Sequence, residues 1–462
     1  MSDNKASKPI HMAFNWEAEV KPWGPGARGD SLTAKESTKH PMFHEHLIEE
    51  VVERHNMQAA LKQVRANQGS PGIDGMSVDE LPDFLKAHWL EIKEQVLEGT
   101  YQPNVIKRVE IPKPGSQEKR KLGIPCVIDR LIQQAILQVL QWRWDPTFSE
   151  FSYGFRPGRS AHQAVAQAQA YIEQGYPIVV DIDLEKFFDQ VCHDRLMSRL
   201  AERMADKRLL KLIRKYLQAG ILEDGLVTPS KAGTPQGSPL SPFLSNVVLD
   251  ELDKELEARG HRFCRYADDS NIYVRSMRAG ERVMASMSGF ITKRLKLKVN
   301  ESKSAVDRPE NRSFLGFSFT GGRSAKRRKI APKALARFKA RVKVLTRRNQ
   351  GRSLRQVIIT LSAYLRGWRG YFGFCQTSKV LRDLDSWIRR RLRCLQWKHW
   401  KVYRRRKAEL IKCGIKPELA HTTAFSAKGP WRMSHIPGVQ MALNNQFFDR
   451  MGLIRLNAHH RI

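Results

Sequence analysis

Two short apolar runs, distant from each other along the chain, carry aspartates where buried strands are expected. The run YPIVVDIDLEKFFD is typical of a buried strand and contains Asp181 and Asp183. The segment HRFCRYADDSNIYVR is typical of two strands around a tight turn that carries Asp268 and Asp269. Burying several carboxylates together costs free energy unless metal ions or cations compensate. The sequence therefore predicts an α+β chain in which these strands meet at a charged site.

Carboxylates that meet in this way suit phosphoryl transfer between nucleotides. That reaction uses two divalent cations about 3.5–4 Å apart, one acting on the attacking oxygen and one on the leaving pyrophosphate. Hard cations take ionised carboxylates as ligands, so Asp268 and Asp269 facing a third aspartate would hold them. Because strand alternation places Asp181 and Asp183 on one face, spacing alone does not decide which of the two is the third ligand.

The charge balance indicates a polyanionic partner. The 462 residues include 80 Lys and Arg against 47 Asp and Glu, a formal net charge of +33. Self-repulsion of this size is tolerated when a polyanion covers the surface, and nucleic acid is the expected one. Residues 311–382 contain 19 Lys and Arg and no acid. The alternative is a solvated basic surface, as in some ribosome-associated proteins; no amphipathic anchor supports a membrane surface.

Other features of the sequence argue against membrane-spanning and secreted classes. No run of about 18 apolar residues is present, and the N-terminus lacks an apolar signal core. The six cysteines form no CxxC pair, which favours free thiols in a reducing compartment and argues against a zinc knuckle.

Periodicity and punctuation divide the chain into five segments. A β-hairpin rich in cations is predicted in VIKRVEIPKPGSQEKRKLGIP, and a helix over 243–258 with Asp250, Glu251 and Asp253 on its polar side. After FLGFSF the pattern becomes helical, with aromatic rings that suit either stacking on bases or packing in a core. The predicted segments are a flexible N-terminal arm (1–41), a helical extension (42–100), an α+β block (101–322), a basic helical region (323–410) and a basic C-terminal tail (411–462).

From about residue 41 to 420 the chain resembles the group II intron-encoded reverse transcriptases, also called maturases. Seven blocks occur in the family's order, which is far more specific than any one motif. The stretch RGWRGYFGF resembles the family's thumb and RNA-binding maturase domain. The seven blocks are RVEIPKPGSQEKRKLGIPCVIDRLIQQAI, FSYGFRPGRSAHQA, VVDIDLEKFFDQVCHDRL, GTPQGSPLSPFLSNVVLDELD, RYADD, LKLKVNESKS and FLGFSF.

The resemblance implies a right-hand polymerase, with α+β fingers and palm, a helical thumb and a basic helical C-terminal domain. It selects Asp183 as the third metal ligand beside Asp268 and Asp269, because the family's first catalytic aspartate precedes a paired aromatic by four or five residues. It implies Mg²⁺ as two ions, with Mn²⁺ as a substitute. Asp181 and Asp189 would then be structural, capping or solvated.

The same resemblance implies contacts to the incoming nucleotide. Phe188, or Phe187 beside it, would lie under the sugar and disfavour a 2′-hydroxyl. Lys113 and Arg120 would grip the triphosphate, which a guanidinium binds bidentately. Lys303 would donate a proton to the leaving pyrophosphate or serve a structural role. The nucleotide-contacting residues implied are Lys113, Arg120, Phe187, Phe188, Gln236 and Lys303.

Contacts to template and RNA are expected from exposed cations. Two arginines flank Pro157-Gly158 and would touch template phosphates, and the others lie in the basic helical region. The alternative for each is a solvated surface charge. The residues in this group are Arg156, Arg159, Arg327, Arg328, Lys339, Arg347, Arg348, Arg366 and Arg369.

The implied function is RNA-templated DNA synthesis from deoxynucleoside triphosphates, with binding of intron RNA to assist its splicing and mobility. Expected partners are intron RNA and an RNA/DNA template–primer duplex, without a membrane; a homodimer is open. The expected location is the bacterial cytoplasm, near the nucleoid, or an organellar matrix. Nothing resembles the C-terminal DNA endonuclease of many relatives, so mobility would use nicks made elsewhere. Two alternatives stay open: a domesticated enzyme in DNA repair or phage defence, and a maturase that only binds RNA for splicing.

Overall fold

The computed structural model describes residues 45–112, 119–223, 226–228, 232–322 and 326–457. The predicted N-terminal arm (1–41) and Lys113 lie outside these residues. Every helix in the described part of the chain is too short or too polar to cross a membrane.

Helices and strands are mixed up to Ile330, and the described chain is helical after that residue. The helices are α1 (Leu47–Val51), α2 (Arg54–Asn67), α3 (Leu81–Glu98), α4 (Val127–Trp144), α5 (Ala161–Glu173), α6 (Phe187–Gln190), α7 (His193–Ala201), α8 (Lys207–Gln218), α9 (Ser241–Ala258), α10 (Met277–Phe290), α11 (Pro332–Leu345), α12 (Leu354–Phe372), α13 (Ser378–His399), α14 (Tyr403–Lys412), α15 (Pro417–Phe425), α16 (Pro430–Met433), α17 (Pro437–Ala442) and α18 (Asn445–Arg450). The strands are β1 (Ile106–Pro112), β2 (Lys119–Ile124), β3 (Ile178–Ile182), β4 (Ile221–Glu223), β5 (Leu226–Thr228), β6 (Arg262–Tyr266), β7 (Asp269–Val274), β8 (Ala305–Asp307), β9 (Phe317–Phe319) and β10 (Arg328–Ile330).

The palm is built on an antiparallel sheet with strand order β6-β7-β3-β8. β3 is the buried strand predicted from the apolar run, and Val180 and Ile182 are almost fully buried in it. α10 packs on β3, β7 and β8, while α5 and α9 pack on β6. The two strands predicted around the paired aspartates are β6 and β7. Sequence reasoning was correct for this part of the sheet.

The acidic side of α9 faces the protein interior. Asp250 and Asp253 are buried, and Asp253 forms a fully buried ion pair with Arg265 of β6. Glu251 is bound by Arg195 and Arg294. The helix itself was predicted, but its acids form ion pairs within the protein: Glu251 and Asp253 meet arginines from other elements, and Asp250 meets Lys254 of the same helix.

The fingers carry a second sheet, with strand order β2-β1-β4-β5. β1 and β2 form the predicted basic hairpin, with Ile111 opposite Arg120. Gly123 in β2 donates its backbone N–H to the carbonyl of Gln236 at 2.7 Å. A side chain at Gly237 would meet the Gly123 carbonyl at 2.6 Å, and Gly237 has φ 114°. Glycine is therefore required at 237 for this close approach between the fingers and the 233–238 loop.

The helices before the fingers share a core with the palm. Leu47, Ile48 and Val51 of α1 are fully buried within the same apolar cluster as Val180 of β3. The backbone N–H of Ile48 also donates to the Asp206 carboxylate at 2.9 Å. Residues 45–100 therefore pack as part of the fingers and palm.

The helices from α11 to α18 surround one C-terminal core, which extends from Ile330 to Leu456. Trp397, Trp400 and Phe448 are buried in it. The prediction of a tail at 411–462 is wrong for the described residues up to 457, because α15–α18 bury apolar side chains in this same core. Buried tryptophans also confirm that several of the rings interspersed with cations are core residues.

Candidate active site

The paired aspartates lie on the turn between β6 and β7, where Tyr266 pairs with Asp269. Ala267 in this turn has φ 56°, in the left-handed region that side chains disfavour. Gly154 allows the turn to pack closely, because a Cβ there would lie 2.3 Å from the backbone nitrogen of Ala267. The turn is therefore held against the 151–154 loop by direct backbone contact.

Strand pairing brings the third aspartate to the same end of the sheet. Ile182 of β3 is opposite Ser270 of β7, so Asp183, the next residue, follows the end of β3 beside Asp269. Its backbone N–H donates to the Ser304 hydroxyl at 3.0 Å, and its carbonyl accepts from the Asn300 N–H at 2.8 Å. The 300–304 segment therefore fixes the backbone at Asp183.

The acidic side chains at this end of the sheet influence each other's ionisation. Burial raises the pKa of Asp269 to about 7, and the charges of Asp268, Asp181 and Asp183 add to that increase. Burial also raises the pKa of Asp268, and Asp183 adds to it, while Arg120 lowers it. The three predicted ligands therefore lie within electrostatic reach of one another.

The side chains do not form a ready metal site. Among the described residues, no three His, Cys, Asp or Glu side chains are arranged so that they could hold a metal ion. The carboxylate of Asp183 instead contacts the Lys303 ammonium, with 3.4 Å between Oδ1 and Nζ. The chemistry of the donors nevertheless fits a divalent cation, since buried aspartates with raised pKa values need positive charge and offer hard oxygen ligands. The number and identity of the ions stay a prediction.

The structure distinguishes the two aspartates that spacing left open. Asp181 is bound by Arg312, whose Nε and Nη2 both donate to Oδ2 at 2.9 and 2.6 Å. The Asn271 side chain donates to the other oxygen at 3.0 Å in the amide orientation that satisfies its contacts. Asp181 thus has internal partners for both oxygens, in agreement with the structural role expected for it. Arg312 was missed by sequence reasoning, because one arginine before FLGFSF carries no local signal.

The two neighbouring phenylalanines differ in burial. Phe187 is only 2% exposed, whereas Phe188 is partly buried, and their ring centroids are 5.3 Å apart. The Phe188 carbonyl accepts from the Thr234 N–H at 2.6 Å, so the loop that carries Gln236 runs beside Phe188. The role of Phe188 as a contact to the sugar stays a prediction.

The cations predicted for the nucleotide are near the acids where they are described. Arg120 and Lys303 both lower the pKa of Asp268 through their charge. Lys303 is also tied to the Asp181 site, because its carbonyl accepts from Arg312 Nη2 at 2.5 Å. Lys113 lies outside the described residues.

The predicted nucleic-acid contact at Arg156 is wrong because its side chain is buried, and Arg328 is half-buried with partners inside the protein. The Arg156 side chain is only 4% exposed, and it binds Asp145 and the carbonyls of Ser149 and Ser152. Arg328 donates to Gln169 at 2.7 Å and to the Phe374 carbonyl at 3.2 Å. Each guanidinium therefore joins two segments of the chain, because it donates hydrogen bonds to acceptors in another segment.

The other predicted nucleic-acid contacts lie on the surface. Five are exposed, and Arg159 and Arg369 are half-buried. Arg159 also lies over the Tyr153 ring, and Arg348 contacts the Cys394 sulfur. The five exposed residues are Arg327, Lys339, Arg347, Arg348 and Arg366.

The sheet thus carries three electrostatically coupled aspartates at one end, and comparison with known families identifies the class of protein as a reverse transcriptase. Residues 111–319 match the reverse transcriptase (RNA-dependent DNA polymerase) family. Residues 335–414 match the group II intron maturase-specific domain. The chain belongs to the group II intron-encoded reverse transcriptase family.

Individual relatives cover different shares of the chain. Protein YkfC of Escherichia coli K12 is 32% identical over 297 residues, which are 56% of this chain and 77% of YkfC. Group II intron-encoded protein LtrA of Lactococcus lactis subsp. cremoris is 35% identical over 195 residues, 42% of this chain and 32% of LtrA. The match therefore spans about a third of LtrA. A chain of a partial Cas6-RT-Cas1–Cas2 complex is 26% identical, with a TM-score of 0.36 over 54% of this chain and 43% of that chain.

Proposed function

We propose that the protein is an RNA-directed DNA polymerase that also binds group II intron RNA, assists its splicing and copies it into DNA. The observation that supports the polymerase activity best is the meeting of Asp183, Asp268 and Asp269 at one end of the palm sheet. The match to the maturase-specific domain supports the role in splicing.

The metal proposed for this site is Mg²⁺, as two ions held by the three aspartates, with Mn²⁺ as a substitute. When bound, such ions activate the attacking 3′-oxygen and stabilise the leaving pyrophosphate. The protein's own residues would supply the rest. Arg120 and Lys303, whose charges act on Asp268, would bind the triphosphate, and Phe188 would restrict the sugar to deoxyribose.

RNA binding is proposed for the basic surface of the C-terminal helices. Its exposed cations face solvent on a chain with a net charge of +33. Phosphate contacts by such cations supply sequence-independent affinity that weakens as salt rises. Proposed partners are intron RNA, an RNA/DNA template–primer duplex and deoxynucleoside triphosphates.

The test is a primer-extension assay with the Asp268→Asn/Asp269→Asn double variant. Both substitutions keep side-chain volume and remove charge, so the fold should be retained. We expect extension to fall by on the order of a thousandfold, because carboxylate ligands of a catalytic metal are lost. Binding of intron RNA, measured in parallel, should change little.

Two outcomes would contradict the proposal. If the double variant loses RNA binding together with extension, the carboxylates have a structural role. If the unaltered protein binds intron RNA and stimulates splicing but does not extend primers, the protein is a splicing-only maturase.

A further inference from the structure

Arg265, immediately before the catalytic turn, is a fully buried arginine with every donor occupied. A guanidinium has five N–H groups, and five acceptors surround this one, while its ion pair with Asp253 has no exposed side-chain surface. The acceptors are Asp253 Oδ1 (2.7 Å from Nε), Asp253 Oδ2 (2.5 Å from Nη2), Ser152 Oγ (2.7 Å from Nη2), Asn246 Oδ1 (3.0 Å from Nη1) and the Ala267 carbonyl (3.0 Å from Nη1). We call these groups the Arg265 network.

One of the five contacts acts on the catalytic turn itself. The Ala267 carbonyl belongs to the peptide unit that joins Ala267 to Asp268. Ala267 has φ 56°, a conformation that is unfavourable for alanine and needs support from its surroundings. The hydrogen bond from Arg265 to that carbonyl supplies such support, and it fixes the backbone orientation at the first of the two paired aspartates.

The same network anchors the turn to two other elements. The Arg265 N–H donates to the Phe151 carbonyl, and the Arg265 carbonyl accepts from the Tyr153 N–H, both at 2.9 Å. Asn246 of α9 accepts from Arg265 and donates to the Gly154 carbonyl at 2.9 Å. The turn, the 151–154 loop and α9 therefore form one cross-linked unit behind the aspartates.

Stability alone does not require this arrangement. A buried ion pair loses much of its attraction to desolvation, and a well-packed apolar pair of similar volume often stabilises a fold equally well. What an apolar pair cannot do is to donate a hydrogen bond to the Ala267 carbonyl. Lysine cannot replace arginine here either, because its ammonium lacks the planar fork of N–H groups that binds Asp253 and that carbonyl at the same time.

We propose that Arg265 is a positioning residue, which acts through the Ala267 carbonyl to hold Asp268 and Asp269 in the orientation that binds divalent cations. The proposal rests on the proposed function for its catalytic consequence. Its consequence for metal binding can be measured without turnover.

The experiment compares Arg265→Lys with the double variant Arg265→Met/Asp253→Leu. Arg265→Met alone would leave Asp253 buried without a partner, so the double variant removes both charges and restores packing. We expect both proteins to melt within a few degrees of the unaltered protein. In both, kcat for primer extension should fall by on the order of 10- to 100-fold, while KM for the deoxynucleotide changes little.

Metal binding is read directly by electron paramagnetic resonance of Mn²⁺ added to the protein with template–primer and no nucleotide. The dissociation constant for Mn²⁺ should rise by about tenfold or more in both variants, as for other residues that orient metal ligands. The matched control is Arg143→Met, which breaks the ion pair between Arg143 of α4 and Glu50 of α1. It should lower the melting temperature without changing Mn²⁺ affinity or kcat.

Two results would overturn the proposal. The first is a folded double variant that binds Mn²⁺ and extends primers as the unaltered protein does, which would make the Arg265 network purely structural. The second is an equal loss of Mn²⁺ affinity in Arg143→Met, which would make the effect a general consequence of lower stability. If the unaltered protein binds Mn²⁺ in an Arg265-dependent way but extends no primer, the proposed polymerase function fails and the positioning role stands.

Discussion

Arg312 donates two hydrogen bonds to the same carboxylate oxygen of Asp181, from Nε at 2.9 Å and from Nη2 at 2.6 Å. This contact distinguishes Asp181 of β3 from Asp183, which directly follows that strand. Asp181 is engaged by an arginine, whereas Asp183 contacts only the more exposed Lys303 ammonium among the ion pairs of the described residues. A charge that is already paired is a poor candidate for a metal ligand.

The difference predicts unequal effects of the same substitution at the two positions. Asp183→Asn should lower kcat for primer extension by on the order of a thousandfold, because it removes a proposed metal ligand. Asp181→Asn should lower it by less than about tenfold, because one oxygen still accepts from Arg312. Single-turnover extension at saturating Mg²⁺ measures both. Equal losses would place Asp181 in the metal site.

Replacement of Phe188 should change the choice of sugar. Phe188→Ala opens the space where a 2′-hydroxyl would lie, so discrimination against ribonucleotides should fall by up to about 100-fold, the range over which an apolar pocket rejects an added hydroxyl. The ratio of kcat/KM for deoxynucleotide and ribonucleotide measures it.

Phe187→Ala is the matched control for that experiment. Phe187 is 2% exposed in the palm core, so its loss should cost about 3–5 kcal/mol of stability and leave sugar discrimination unchanged. If discrimination against ribonucleotides falls only in Phe187→Ala, the ring that excludes the 2′-hydroxyl is that of Phe187.

Sequence patterns predicted the parts of the palm that have local signatures. The apolar run that ends in aspartates predicted β3, and the tight turn between apolar pairs predicted β6 and β7. β4, β5 and β8 were missed, because each has three residues and is defined by its partner strand. Ala305 of β8, for example, pairs with Asp181 across a long sequence separation. Such short strands depend on tertiary context more than on propensity.

The supporting arginines could not be predicted for a similar reason. Arg265 and Arg312 are two cations in a chain that has 80 Lys and Arg. Their burial depends on Asp253 and Asp181, which come from other elements. Arg156 shows the opposite error. Its position beside Pro157-Gly158 predicts a contact to the template, but its guanidinium forms an ion pair with Asp145 instead.

Asp129 of α4 should make stability depend on pH. It is 1% exposed and accepts hydrogen bonds from the Tyr101 hydroxyl at 2.8 Å and from Asn104 at 3.0 and 3.1 Å. Burial raises its pKa from an ordinary 3.8 to about 6, although these hydrogen bonds lower it. The folded state therefore binds the proton more tightly than the unfolded state does. Its contribution to stability is most favourable below pH 4 and declines as the pH rises to about 6.

Asp129→Asn removes that titration and keeps the shape of the side chain. The free energy of unfolding of the variant, relative to the unaltered protein, should increase by about 2 kcal/mol between pH 4 and pH 7. Urea unfolding at several pH values measures the difference, in which the titrations of all other groups cancel. A difference that stays constant across this range would show that the carboxyl group does not titrate as expected.

Charge removal on the C-terminal helices should reduce the salt dependence of RNA binding. Lys339 of α11, Arg347 in the following loop and Arg366 of α12 are exposed. If each contacts a phosphate, their combined replacement by glutamine should lower the slope of log K against log salt by about 2, at roughly 0.7 per contact. Binding titrations from low to physiological salt give the slope.

The control for that prediction has the same change in charge on another surface. Lys207 and Lys211 of α8 and Arg282 of α10 are also exposed, and they lie on helices that pack against the palm. Long-range attraction would respond equally to both triple variants, because it depends on net charge. Phosphate contacts would respond only to the first, since released counterions are counted per contact. Equal slopes in the two variants would therefore contradict RNA binding at the C-terminal helices, whereas a slope reduced only in the Lys339, Arg347 and Arg366 variant would locate it there.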